Sequence, residues 1–209
     1  RRSLARTRTH RLVSTQAVFE NLELKHKVFG TVSGLVRDDC VLATNTSAIP
    51  IEKVAAGIDK PERVLGMHYF SPVPSMQLLE IIPHAGTNKE SMSKAFAVGI
   101  KQGKTCIEVA DVPGFYVNRA LAPMMAEVAP LFEDGVTPKQ LDEAILDLGM
   151  PVGPITLLDE VGADVGLHVQ HTMLADATMG SRMAGAKPEM LQHLVDQNWK
   201  GRKDGKGFF

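Results

Sequence analysis

The feature that most constrains this chain is a change of texture at Asp111-Val112-Pro113-Gly114. Before it, short apolar runs alternate with stretches of helical periodicity. After it, no strand pattern can be read. Glu20 to Val36 carries Val28, Phe29, Val32, Leu35 and Val36 at helical spacing, and Asp38-Asp39 breaks the run. Cys40 to Ala43 is a buried-strand pattern ending in the polar tip Thr44-Asn45-Thr46-Ser47. A short helix is expected over 51–56, and further strands over 63–69, 76–82 and 105–109. Thr87 and Glu90 form a capping-box pattern ahead of a helical stripe from Met92 to Ile100. Beyond Gly114, a stripe from Val117 to Phe132 predicts one long helix ended by Gly135. Thr137-Pro138-Lys139-Gln140 opens another with a capping box and a proline at its first position. Alternation of strand and helix implies a parallel sheet, so the expected fold is α/β followed by all-α.

Composition excludes more than it selects. A net charge of −1 gives no basis for binding nucleic acid or an anionic membrane surface. The two cysteines, Cys40 and Cys106, are far apart and suggest buried thiols rather than a metal cluster. No apolar run reaches the ~18 residues needed to span a bilayer. Charge is nonetheless uneven. Five arginines fall in the first eleven residues, and no acid appears before Glu20. Two readings of this basic start stand: a mitochondrial transit peptide, or a tail or sequence join ahead of the folded domain.

Four polar side chains carry chemistry. Ser47 lies at the tip of an expected strand, His68 near the end of the next, Glu80 within Leu78-Leu79-Glu80-Ile81-Ile82, and Asn118 in Pro113 to Arg119. A carboxylate inside an apolar strand is costly unless paired. If Glu80 faces inward, the neighbouring strand offers His68 as a donor; on an edge strand it would face water. A histidine oriented by a carboxylate, with a hydroxyl and an amide nearby, is the equipment for removing a proton from an alcohol. Singly, each residue has an ordinary use: His68 as a hydrogen-bonded core residue, Asn45 to Ser47 as a structural turn, Asn118 as a helix cap.

Several stretches agree in type and spacing with one family. They are Glu20 to Lys25, Thr44 to Ser47, Gly66 to Pro72, Met76 to Glu80, Pro113 to Arg119, Pro151 to Pro154, Asp159 to Gly162 and Gly201 to Phe208. On these residues the chain resembles the 3-hydroxyacyl-CoA dehydrogenases, and among them the dehydrogenase region of the multifunctional β-oxidation enzymes such as the mitochondrial trifunctional α subunit. The resemblance implies NAD-dependent oxidation of a 3-hydroxyacyl-CoA to a 3-ketoacyl-CoA. His68 would take the hydroxyl proton, Glu80 would orient His68, Ser47 would hydrogen-bond the reacting oxygen and Asn118 would help position the substrate. Glu20, Lys25 and Asn45 would line the NAD cofactor. The implied partners are a second copy through the helical domain or a thiolase subunit, with membrane association only through a larger complex. The implied location is mitochondrial.

The expected domains are a basic unmatched tail over 1–16, a partial NAD-binding domain over 17–111 and a helical domain over 112–209. Within this chain the family's Gly-x-Gly-x-x-Gly turn is missing, and Gln16 stands where the family has Glu. Glycines at a helix N-terminus hold the pyrophosphate, so little NAD affinity is expected of this chain alone. A non-catalytic acyl-CoA-binding or assembly fragment, and a dehydrogenase-like structural protein, are the competing readings.

Overall fold

The protein is described over residues 12–209 in a computed structural model. It divides into two compact units, the first running to Tyr116 and the second spanning Val117–Phe209.

The first unit is a five-stranded sheet ordered β1 (Val13–Gln16), β2 (Val41–Thr44), β3 (Val64–Tyr69), β4 (Leu78–Pro83) and β5 (Thr105–Glu108). Helix α1 (Leu22–Ser33) joins β1 to β2, α2 (Ile51–Ala56) lies between β2 and β3, and α3 (Lys89–Lys101) joins β4 to β5. Side chains alternate across the strands. Leu42, Val64 and Ile82 therefore join Phe29, Ile51 and Val54 on one face. Val41, Ala43, Leu65, Met67 and Ile81 pack with Ala95 on the other. Both faces are covered, which is why β2 to β4 read as nearly continuous apolar runs.

Three details of this unit differ from the sequence expectation. Val13–Gln16, placed in an unmatched tail, is strand β1 and pairs in parallel with Val41–Thr44. The remainder of the basic start, with its transit-peptide reading, falls on residues 1–11, outside the described residues. The sheet is mixed rather than wholly parallel: β1–β2, β2–β3 and β4–β5 are parallel, but β3 and β4 are antiparallel. The segment between them holds eight residues and no helix, too short for a parallel crossover. Helix α3 is capped by Asn88, whose side chain accepts from Ser91 N. Thr87 instead donates its hydroxyl to Val64 O and accepts from His84 N.

The second unit is helical: α4 (Val117–Ala126), α5 (Val128–Glu133), α6 (Pro138–Asp147), α7 (Pro154–Val161), α8 (Ala163–Leu174) and α9 (Pro188–Asp196). The single helix expected from Val117 to Phe132 is two, because Pro130 has no N–H to donate to the carbonyl of Ala126. The capping box of Thr137 and Gln140 forms as expected. Val128, Leu141, Ile155, Leu158, Leu167 and Leu191 form the core. Buried Asp142 accepts from Ile155 N and from both Thr156 N and its hydroxyl, tying α6 to the start of α7. The closing segment folds back on Asp159, whose carboxylate accepts from Phe208 N and Phe209 N. A Cβ at Gly207 would stand 2.1 Å from that carboxylate, so only glycine fits there.

Candidate active site

The first unit gathers three of the four candidate catalytic residues at one place. Antiparallel register sets His68 directly opposite Glu80. His68 Nδ1 hydrogen-bonds Glu80 Oε2 at 2.7 Å, and its Nε2 hydrogen-bonds Ser47 Oγ at 3.0 Å. Glu80 is 0 % exposed and His68 4 %. β4 is an inner strand, so the edge alternative for Glu80 does not apply. With a carboxylate at Nδ1, the ring proton belongs there and Nε2 presents its lone pair. The rings of Phe70, at 4.6 Å, and Phe115, at 5.6 Å between centroids, flank the imidazole.

Ser47 is placed by Glu20. One carboxylate oxygen of Glu20 accepts from Ser47 N at 2.6 Å, and both accept from the Thr46 hydroxyl. Lys25 lies beneath, 1 % exposed, with Nζ 3.0 Å from Glu20 Oε2 and donating to Val18 O. A lone buried ammonium would be costly; this one is paired. Asn45 Oδ1 accepts from Tyr69 N at 2.8 Å, which fixes the plane of its amide beside the β3 end. Gln16, at the end of β1, donates its side-chain amide to Thr44 Oγ1. The three residues expected to line a cofactor are thus together at the carboxyl ends of β1 and β2, where open parallel sheets take their ligands. Burial pushes the Tyr69 phenol up from its ordinary value.

Asn118, the fourth candidate, stands in the first turn of α4 in the second unit. There it lines an apolar cavity of about 140 Å³ with Leu121, Met125, Val165 and Met173.

Two contributors were not singled out by the sequence. Tyr116 N donates to Glu80 Oε1 at 3.0 Å. Asp111 accepts from Ile51 N and Glu52 N, each at 2.8 Å, fixing the helix start that follows Ser47. A main-chain donor has no sequence signal of its own, though Pro113-Gly114 marks the turn that aims it. Cys40 is buried and Cys106 only partly so. Among the described residues there is no group of three or more His, Cys, Asp or Glu able to hold a metal.

Comparison with known proteins places this geometry. Residues 3–112 match the family model described as 3-hydroxyacyl-CoA dehydrogenase, NAD binding domain, and residues 114–209 match the C-terminal domain of the same family. The fatty acid oxidation complex subunit alpha of Vibrio campbellii is 46 % identical over 197 residues, 94 % of this chain but 27 % of that protein. The chain therefore spans about a quarter of the length of the curated relatives it matches. M. tuberculosis FadB2 superposes with a TM-score of 0.87 at 33 % identity, covering 95 % of this chain and 70 % of that one. The (S)-3-hydroxybutyryl-CoA dehydrogenase of Ralstonia eutropha gives 0.83 at 34 %, with coverage of 95 % and 70 %. Among the relatives matched are complex subunits from Vibrio, Shewanella and Idiomarina. Those bacterial sources overturn the mitochondrial expectation. Matched by family models across both of its units, the chain belongs to the 3-hydroxyacyl-CoA dehydrogenase family.

Proposed function

We propose that the chain is the dehydrogenase segment of a multifunctional fatty acid β-oxidation enzyme, oxidising 3-hydroxyacyl-CoA to 3-ketoacyl-CoA with NAD. The observation that carries this reading is the hydrogen-bonded line Ser47–His68–Glu80. The substrate 3-hydroxyl gives its proton to His68 Nε2, the lone pair that Ser47 now occupies. Glu80, buried against Nδ1, stabilises the imidazolium that forms. Ser47 turns its hydroxyl to the substrate oxygen and holds it as the bond order to carbon rises. Asn118 serves as a positioning contact for the acyl-CoA. The aromatic rings of Phe70 and Phe115 keep water from the imidazole edges.

The residues fit the nicotinamide half of NAD. Asn45 and Glu20 offer an amide and a carboxylate at the carboxyl ends of parallel strands, and Lys25 holds Glu20 from below. Bound NAD supplies the acceptor for the C3 hydride. The pyrophosphate half calls for a glycine turn before a helix. The sequence has no glycine before Gly30, which lies inside α1.

The helical unit pairs with a second copy or with a thiolase subunit. In support, relatives of the chain are named as one subunit of a fatty acid oxidation complex, and Leu148, 81 % exposed, leaves apolar surface on this unit.

Replacing His68 with Ala in a chain that carries the glycine turn is the direct test. Steady-state turnover of a 3-hydroxyacyl-CoA is expected to fall roughly 100-fold or more, with cofactor affinity retained. Turnover at the wild-type rate would sink the assignment of the base. A second reading is a non-catalytic acyl-CoA-binding segment. It predicts acyl-CoA binding without NAD binding.

A further inference from the structure

Phe115 breaks an ordinary backbone rule. Its φ is +50°, in the left-handed region, directly after Gly114 at +74°. A bulky side chain there is an outlier that its surroundings must hold in place, and such outliers concentrate at functional sites. Phe115 is 2 % exposed and packs in the cluster of Leu42, Ile51 and Ile82. Its ring meets the His68 ring nearly edge to face, at 61°. The two positive-φ residues turn the chain so that the next amide, Tyr116 N–H, meets Glu80 Oε1 at 3.0 Å. The other oxygen of the same carboxylate accepts from His68 Nδ1. Ordinary right-handed or extended backbone at 115 would aim the Tyr116 N–H elsewhere.

We propose that Phe115 is a positioning residue for the His68–Glu80 pair: its left-handed backbone delivers the Tyr116 amide to Glu80. The proposal rests on the reading of His68 as the base. It adds that the segment leading into the second unit sets the orientation of the carboxylate behind that base.

Two substitutions separate positioning from plain core packing, because the two roles rank them oppositely. Phe115→Asn tolerates a left-handed backbone but loses apolar packing. Phe115→Val keeps an apolar side chain, but β-branching disfavours positive φ. The readout is the low-field proton resonance of the Nδ1–H shared by His68 and Glu80 in the 209-residue chain, identified by its loss in His68→Gln. Melting curves establish that each variant is folded. The expected result is a low-field resonance that persists in Phe115→Asn, displaced by no more than the lost ring current of Phe115, and one lost or moved further upfield in Phe115→Val. The reverse order, or equal behaviour of the two folded variants, overturns the proposal.

If either variant does not fold, the decision falls to the Tyr116 amide with Phe115 intact. Its proton resonance is expected to move upfield in Glu80→Gln, and an unmoved resonance overturns the proposal. These signals need neither substrate nor NAD. Normal turnover in His68→Ala would therefore remove the catalytic reading while leaving the positioning result to stand or fall by itself.

Discussion

Glu80 shows how much a single residue's chemistry can reveal. A carboxylate between Leu79 and Ile81 demands a donor, and the neighbouring strand supplies His68. That much follows from the cost of burying charge. The second donor, Tyr116 N, does not, because its direction is set by backbone dihedrals at Gly114 and Phe115 that side-chain identity barely constrains. Ser47 is a cleaner case for mutation. Its main-chain N–H is held by Glu20 independently of its hydroxyl, so Ser47→Ala removes the hydroxyl and leaves the turn in place. In a chain that carries the glycine turn, turnover is expected to fall on the order of 100-fold, the usual cost of losing one donor to the reacting oxygen. The Nδ1–H resonance of His68 and the melting temperature are expected to stay where they are. Unchanged turnover would mean that Ser47 only caps an idle imidazole.

At the scale of elements, the helix over Ile51–Ala56 and the strands around His68 and Glu80 lie where their apolar periodicity places them. What stayed hidden depends on partners distant in sequence. Antiparallel pairing of β3 and β4 follows from the short connection rather than from either strand's composition. Thr87 and Asn88 are both competent caps, and the choice fell to Asn88 because Val64 O engages the Thr87 hydroxyl. Asp111 is the strongest instance. It lies 60 residues from Ile51, the start of the helix it caps, and its two oxygens meet the first two amides of α2. Those amides have no intrahelical partners. Asp111→Ala is therefore expected to destabilise the first unit by about 1–2 kcal/mol in denaturant titration. Because α2 begins soon after Ser47, local loosening of the Thr46–Pro50 segment should accompany that loss, visible as faster amide exchange of Ile51 and Glu52. Protection equal to wild type at both amides would show that the cap is dispensable.

At the scale of the molecule, the change of texture divides the chain near 111–114, and the boundary between the compact units falls between Tyr116 and Val117. The small offset arises because Phe115 packs into the first unit's core. Among the described residues no helix is long and apolar enough to cross a membrane. Glu20, Lys25 and Asn45, proposed above to meet the nicotinamide half of NAD, are fixed by hydrogen bonds and an ion pair. The pyrophosphate, the most strongly charged part of the cofactor, gains most from main-chain amides at a helix start, and this sequence offers no glycine turn for it. Titration calorimetry of NAD into the 209-residue chain is accordingly expected to give no binding tighter than about 1 mM, equivalent to roughly −4 kcal/mol. The same titration with an acyl-CoA is expected to give binding if the substrate groove is complete in this chain. NAD binding in the micromolar range would show that the described strands hold the cofactor unaided, and would make the chain a dehydrogenase as it stands. Absence of both would show that these residues by themselves bind neither cofactor nor substrate.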